Sequence, residues 1–278
     1  MGAIEWVTGA DEYLCPLSEE TQKLAKDELR EDRNTRDQAL EQMRNWIKLN
    51  PRIENSRLDA QFLLRFLRCK KFNVPMAQEA TERYLLLRKV YHPAFNKLDI
   101  TEANVSELLE LGYLFAVPGR DSKGRRVIVA RPGVFDPYKF TNVDMCKIHA
   151  ITYEALMEDE ESQVRGFVHF ADGAGVSFPH LTLFTPREAV RIVKNGEVRL
   201  FNPLPMKEMI ALWRKELLEL TPRLLSHDKM SVRLHLYSEK AREGAVSALK
   251  QGFGCASVGS SDGTLHGITG SFRKLEVD

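Results

Sequence analysis

The segment Phe62–Val74 reads FLLRFLRCKKFNV. At helical spacing Leu63, Leu64, Phe66 and Leu67 bunch on one face, while Arg65, Arg68, Lys70 and Lys71 stand among and beyond them. The pattern predicts a helix packed on one side and offering positive charge on the other. Downstream, Pro75 suits the first turn of another helix, and Glu79–Tyr91, EATERYLLLRKVY, keeps its apolar positions on one face. Upstream, Ser18 is placed to cap a charged helix, with breaks expected near Asn34 and at Asn50-Pro51. Residues 1–95 therefore read as a small all-α bundle after an irregular lead-in, left at His92-Pro93.

From about residue 104 strand and helix patterns alternate, which predicts an α/β sheet with helices packed on it. In residues 108–137, LLELGYLFAVPGRDSKGRRVIVARPGVFDP, the sequence Asp121-Ser122-Lys123-Gly124 is a tight turn between two apolar runs. The next block, residues 163–186, QVRGFVHFADGAGVSFPHLTLFTP, is a strand ending in an Asp172-x-x-Gly175 turn that leads into a helix. Strands are expected at Val127–Ala130, Gly166–Phe170, Val198–Phe201 and Val232–Tyr237. Helices are expected at Val143–Met157, Pro186–Val193 and Lys207–Leu220. Cys146, Ala150, Tyr153 and Met157 share one face of the first of these helices. Phe167, His169 and Ala171 fall on one side of the central strand, and Val168 and Phe170 on the other. A sheet covered by helices on one face can enclose an apolar cavity.

Known chemistries find no purchase. There is no GxSxG elbow, P-loop or GxGxxG turn, no HExxH, and no CxxC among the four cysteines. His149, His169 and His235 fall on elements expected to be partly buried, as hydrogen-bonded rather than metal-binding residues. The run Glu158-Asp159-Glu160-Glu161 reads as a solvated helix end, not an acid–base pair. With 278 residues, a net charge of +1 and 28% charged residues, the chain gives no global electrostatic case for nucleic acid. No apolar run reaches the ~20 residues of a transmembrane helix, and the N-terminus lacks the pattern of a secretory signal. Scattered cysteines fit reduced thiols in the cytoplasm.

The RFLR helix with its basic run, the strand–turn–strand of residues 108–137 and the Asp-x-x-Gly strand end together resemble the CRAL-TRIO lipid-transfer family, over most of residues 35–240. The resemblance implies an α/β fold: a mixed sheet with covering helices and an apolar pocket, preceded by the small all-α bundle. It divides the chain into an N-terminal helical domain (1–95), a lipid-binding domain (96–252) and a Gly/Ser-rich tail (253–278). It implies a ligand pocket lined by Cys146, His149, Ala150, Tyr153, Phe167, His169, Ala171 and Ile192. Residues 206–220, MKEMIALWRKELLEL, look like the family's amphipathic lid, with Met209, Ile210, Trp213 and Leu217 on its apolar face. Arg65, Arg68, Arg223, Lys229 and Arg233 match the family's phosphoinositide-binding cations. The chain departs from the family after Glu197, where a segment carrying a further basic pair is missing, and at the C-terminus, where no closing Gly-Gly motif is recognisable.

The resulting expectation is a non-enzymatic, cofactor-free and metal-free monomer in the cytoplasm that visits anionic membranes. It would bind a hydrophobic small molecule or lipid, tocopherol- or retinoid-like, and transfer it between membranes. The alternative is a lipid-sensing adaptor that docks on membranes and protein partners without transfer. Neither reading names the ligand.

Overall fold

A computed structural model describes residues 13–182 and 204–252. Helix α1 (Glu19–Leu24) starts where the Ser18 side chain accepts from the Thr21 N–H. It runs into a π-turn over Ala25–Leu29 that stops at Arg30, in the left-handed region at φ 66°. Asp32 then caps α2 (Arg33–Leu49), and the short strand β1 (Ile53–Asn55) follows. The RFLR segment forms α3 (Ala60–Cys69), which begins at Ala60 because Asp59 accepts from the Phe62 N–H and closes off any earlier turn. Phe62, Leu63, Leu64, Phe66 and Leu67 are all buried. The left-handed pair Lys71 and Phe72 reverses the chain into α4 (Val74–Val90), capped by Asn73 with Pro75 in the first turn.

After α5 (His92–Phe95) and α6 (Ala103–Glu110) come the sheet strands. Strand β2 (Leu114–Ala116) pairs antiparallel with β3 (Arg126–Ala130). The Asp121–Gly124 turn closes with Gly124 N–H donating to the Asp121 carbonyl at 2.9 Å. Gly124 has φ +74°, the left-handed conformation that favours glycine, and a Cβ there would also displace the Arg165 side chain, whose Cδ would lie 2.6 Å away. Next are α7 (Asn142–Met157), opened by a reciprocal Thr141/Asp144 capping box, and α8 (Glu160–Arg165). They carry the chain to β4 (Phe167–Ala171), parallel to β3, which completes the order β2–β3–β4. The parallel pairing demands this long crossover. Beyond the Asp172–Gly175 turn lies α9 (Phe178–Thr182).

Helix α10 (Met206–Ser226) packs on α6, α7 and β2. The chain then returns to the helical layer. Strand β5 (Ser231–Val232) pairs antiparallel with β1, and α11 (Glu239–Gly252) lies on α4. One continuous core runs from Met43 and Phe62 through Phe115 and Ile151 to Trp213 and Val232. Residues 231–252 thus pack with the N-terminal helices rather than with the three-stranded sheet.

Two expectations change. The strand expected at Val232–Tyr237 is only two residues long, and a 3-10 turn occupies Leu234–Leu236. Arg242 draws the Leu234 and Tyr237 carbonyls to its guanidinium at 2.8 and 2.9 Å, so they have no ladder to join. His235 is consequently exposed rather than partly buried. The elements expected at Pro186–Val193 and Val198–Phe201, and the tail after residue 252, lie outside the described residues. No helix among the described residues is long and apolar enough to cross a membrane.

Candidate functional site

The expected pocket residues fall where α7 meets β4. The Tyr153 hydroxyl lies 3.5 and 3.4 Å from the two ring nitrogens of His169. Its ring stacks on His149, centroids 6.3 Å apart. His149 meets Tyr113 edge-on at 5.7 Å, and Tyr113 meets Phe135 at 5.0 Å. Phe135 in turn contacts Phe140 and His180. The outcome is a continuous file of aromatic and imidazole rings along α7, the sheet and the loops at one end of it. Such edge-on contacts use the ring quadrupoles as well as buried area.

Two of these imidazoles, His149 and His169, are neutral near pH 7. Burial pushes His149 down to about 4, against a hydrogen bond that works the other way. That bond runs from Nδ1 to the Met145 carbonyl at 2.7 Å, so Nδ1 carries the proton. His169 is lowered to about 4 by burial and then by its neighbour His149. His180 is fixed at both nitrogens: Nδ1 accepts from the Ser177 N–H at 3.1 Å, so Nε2–H donates to the Phe135 carbonyl at 2.9 Å. The His149 and His169 rings can therefore hold single hydrogen bonds without carrying charge.

The structure brings His149, Tyr153 and His169 together, with Phe167 and Ala171 on the same side of the strand by alternation. All five β4 residues are half-buried. Cys146 lies farther along the helix, its Sγ 3.6 Å from Asn142 Oδ1. It also faces Tyr91, whose hydroxyl is pushed up to about 12 by burial and then by the cysteine. Ala150 is buried within the main core. A bulky residue at Ala150 would test packing as much as a pocket. Ile192 lies outside the described residues.

Helix α10 buries Met209, Trp213, Leu217 and Leu224, with Ile210 half-buried. Met206, Leu212 and Leu218 are exposed. Arg126 grips this helix with two bonds to Glu216, at 3.0 and 2.9 Å. Its guanidinium lies over the Trp213 indole, 5.5 Å from the centroid. Arg126 is the register partner of Phe167, and partners in a parallel ladder share a face. Helix α10 therefore covers the sheet near Phe167. Arg214 adds a bond to Ser106 at 2.7 Å. The Trp213 indole N–H has no hydrogen-bond partner among the described residues.

The cationic residues require a correction. Arg65 and Arg68 do not face solvent: they are 5% and 1% exposed. Arg68 bonds Glu31 at 2.9 Å through two nitrogens, Glu160 at 2.8 Å and Gln163 at 2.8 Å. Arg65 bonds Glu154 and Glu158, both at 2.8 Å. The acidic run is likewise no solvated surface, since Glu158 and Glu160 are buried as counterions. The two errors share one cause. The arginines of α3 and the carboxylates of α7 and α8 are on facing helices, and opposite charges removed from water must pair. Arg57 joins them, bonding Asp59, Glu158 and His227.

Burial raises Glu154, but Arg65, then His227 and Arg88, and a Tyr84 hydrogen bond bring it down to about 2. Glu158 is held below the usual carboxylate range in the same way, by His227, Arg65 and Arg57 against burial. Of the remaining cations, Arg223 is half-exposed and reaches Asp59 and Glu158 at 3.2 and 3.3 Å. Arg233 donates to the Pro51 carbonyl at 2.5 Å. Lys229 is exposed. Sequence reasoning passed over Tyr113, Phe135, His180, Glu154 and His227. The opposite charges of RFLR and EALME were the one legible signal for the ion-pair core.

Residues 111–195 match the family model described as the CRAL/TRIO domain. That span includes β2, β3, α7, α8, β4 and the ring file, and ends before α10. The human protein named "Alpha-tocopherol transfer protein-like" is 31% identical over 182 residues, which is 65% of this chain and 52% of that protein. Human "Clavesin-2" is 31% identical over 170 residues, 61% of this chain and 52% of that protein. "Clavesin-1" of Xenopus laevis is 30% identical over 170 residues, 61% and 51% of the two chains. The chain spans about half the length of the curated relatives it matches. Mixed sheet, crossover and matched sequence agree: residues 111–195 carry a CRAL/TRIO domain.

Proposed function

We propose that this chain binds a hydrophobic small molecule or lipid beside the His149–Tyr153–His169 file and carries it between membranes, without catalysing a reaction. The observation that carries the reading is the uncharged, half-buried lining of α7 and β4. A ring file with neutral imidazoles can meet an apolar body and one hydroxyl or carbonyl. The Arg126 guanidinium near Phe167 is already paired with Glu216, so it offers a charged metabolite little. One relative is named for tocopherol transfer, which makes a tocopherol-like ligand the first to test and a retinoid or phospholipid the next. A shielded site matters because each exposed CH₂ of a lipid costs roughly 0.8 kcal/mol in water.

Helix α10 is the proposed lid, since its buried face covers the sheet near Phe167. Membrane docking rests on Lys229 and Arg233; Arg223 is engaged by Asp59 and Glu158. Arg65 and Arg68 are withdrawn from it on the same ground, since their charge is spent on buried carboxylates. Each remaining cation is worth about 1 kcal/mol at an anionic surface.

The test uses donor and acceptor vesicles with a fluorescent tocopherol analogue and a fluorescent phosphatidylcholine. The protein is expected to speed movement of at least one probe. Acidic lipid should strengthen vesicle binding, and Lys229→Glu with Arg233→Glu should weaken it several-fold. Binding of a probe with no gain in transfer rate would support the adaptor reading. No binding of either probe would overturn the ligand site.

A further inference from the structure

The C-terminal end of α10 leaves the sheet and enters the ion-pair core. His227, the next residue, is fully buried. Its Nε2 lies 2.7 Å from Arg57 Nη1 and 3.4 Å from Glu158 Oε1. Its Nδ1 faces Glu154 Oε2 at 3.5 Å. A guanidinium can only donate. The short contact therefore requires Nε2 to offer its lone pair, which leaves the ring proton on Nδ1, toward Glu154. That arrangement suits a neutral imidazole, since a proton on Nε2 would crowd the Arg57 N–H.

We propose that His227 is an acid-operated latch: the segment leaving α10 stays docked between α3, α4 and α7 while the imidazole is neutral, and mild acid releases it. The surroundings are already charge-balanced. Arg57 precedes α3, Arg65 lies on α3, Arg88 on α4 and Arg223 on α10. Against them stand Asp59 before α3, Glu154 on α7, Glu158 at its C-cap, and Asp228 beside the histidine. Asp228 pairs with Arg88 at 3.5 Å, and the Tyr84 hydroxyl donates to Glu154 at 2.7 Å. One further proton adds an uncompensated positive charge in a space closed to water.

The direction of the pH effect follows. Burial lowers the docked His227 below its ordinary 6.5, against Glu158 and Glu154 and with Arg65 and Arg88. The undocked form then binds the proton more tightly, so docking weakens as pH falls below 6.5. The limit is about tenfold per pH unit for one proton. Glu154 and Glu158 hold their charge through this window, because both sit below their ordinary 4.5. Release would free the end of α10 and the short β5 that follows, with its pairing to β1. The latch stands on this geometry whatever ligand the ring file takes.

The test is amide hydrogen exchange on the full chain from pH 7.5 to 5.0, corrected for intrinsic rates. Segments within residues 224–237 should lose protection below pH 6.5, by up to about tenfold per unit, while α2 keeps its own. In His227→Gln, whose amide oxygen can accept from Arg57 but takes up no proton, the loss should vanish. Equal loss in both proteins, or none in the wild type, would overturn the latch. If the variant does not fold, the imidazole nitrogens of ¹⁵N-histidine wild-type protein decide. The latch predicts an Nδ1–H tautomer at pH 7.5 and protonation that coincides with the loss of protection. A charged His227 in a fully protected segment would refute it.

Discussion

Arg68→Ala is expected to destabilise the fold by about 3–5 kcal/mol, the cost of leaving a buried ion without its partner. The guanidinium meets Glu31 on two bonds and Glu160 on one, and both carboxylates are nearly closed to solvent. Tyr13 joins from the N-terminal arm, its hydroxyl bonded to Glu160. Burial first, and then Glu160, push that hydroxyl far above its usual range. Arg68→Lys should recover only part of the loss, because an ammonium cannot reproduce the forked pairing. Lys229→Ala, at an exposed cation, should change stability by less than about 0.5 kcal/mol. Urea unfolding of the three variants gives the comparison. A loss under about 1 kcal/mol for Arg68→Ala would mean that water reaches the pair.

Trp213→Ala is the second large loss expected, again about 3–5 kcal/mol. The indole is 1% exposed at the centre of the α10 face and lies under Arg126. Its removal opens a cavity and uncovers the Arg126–Glu216 pair together. Trp213→Phe should cost much less. It keeps most of the apolar bulk, and it deletes an N–H that makes no hydrogen bond among the described residues. A buried donor without a partner is a liability, so its loss offsets part of the smaller ring. Thermal or urea unfolding measures both. If Trp213→Ala is silent while Leu217→Ala is costly, the helix is anchored by its second half and the indole is not the centre of the contact.

The local pattern carried most of the fold. The α3 and α4 helices, Pro75 at its first turn, the Asp121–Gly124 turn and the strands at 127–130 and 167–171 all depend on neighbours in sequence. Periodicity and turn chemistry report such neighbours directly. The buried ion pairs depend on contacts between residues 31, 57, 65, 68, 154, 158 and 160, and local patterns say nothing about which helices meet. A basic helix read by itself has a solvated face; the same helix set against EALMEDEE does not. The shortened strand at 231–232 failed for a related reason. Its carbonyls were taken by Arg242, a residue from the next helix. Within the candidate ligand site, α7 and β4 were legible because each presents one periodic face. Tyr113, Phe135 and His180 were not, since the loops and strand end that hold them converge only in three dimensions.

The most direct measurement of the central claim is native mass spectrometry of the full chain purified from cells. The account predicts a one-to-one adduct with a hydrophobic small molecule or lipid. The adduct should be extractable into organic solvent and exchangeable for the tocopherol or phosphatidylcholine probe. It should be lost in Ala171→Trp, a half-buried position on the His169 side of the strand, while the far-ultraviolet dichroism stays unchanged. Bare-chain mass from every preparation, with no adduct formed when either probe is supplied in excess, would contradict it.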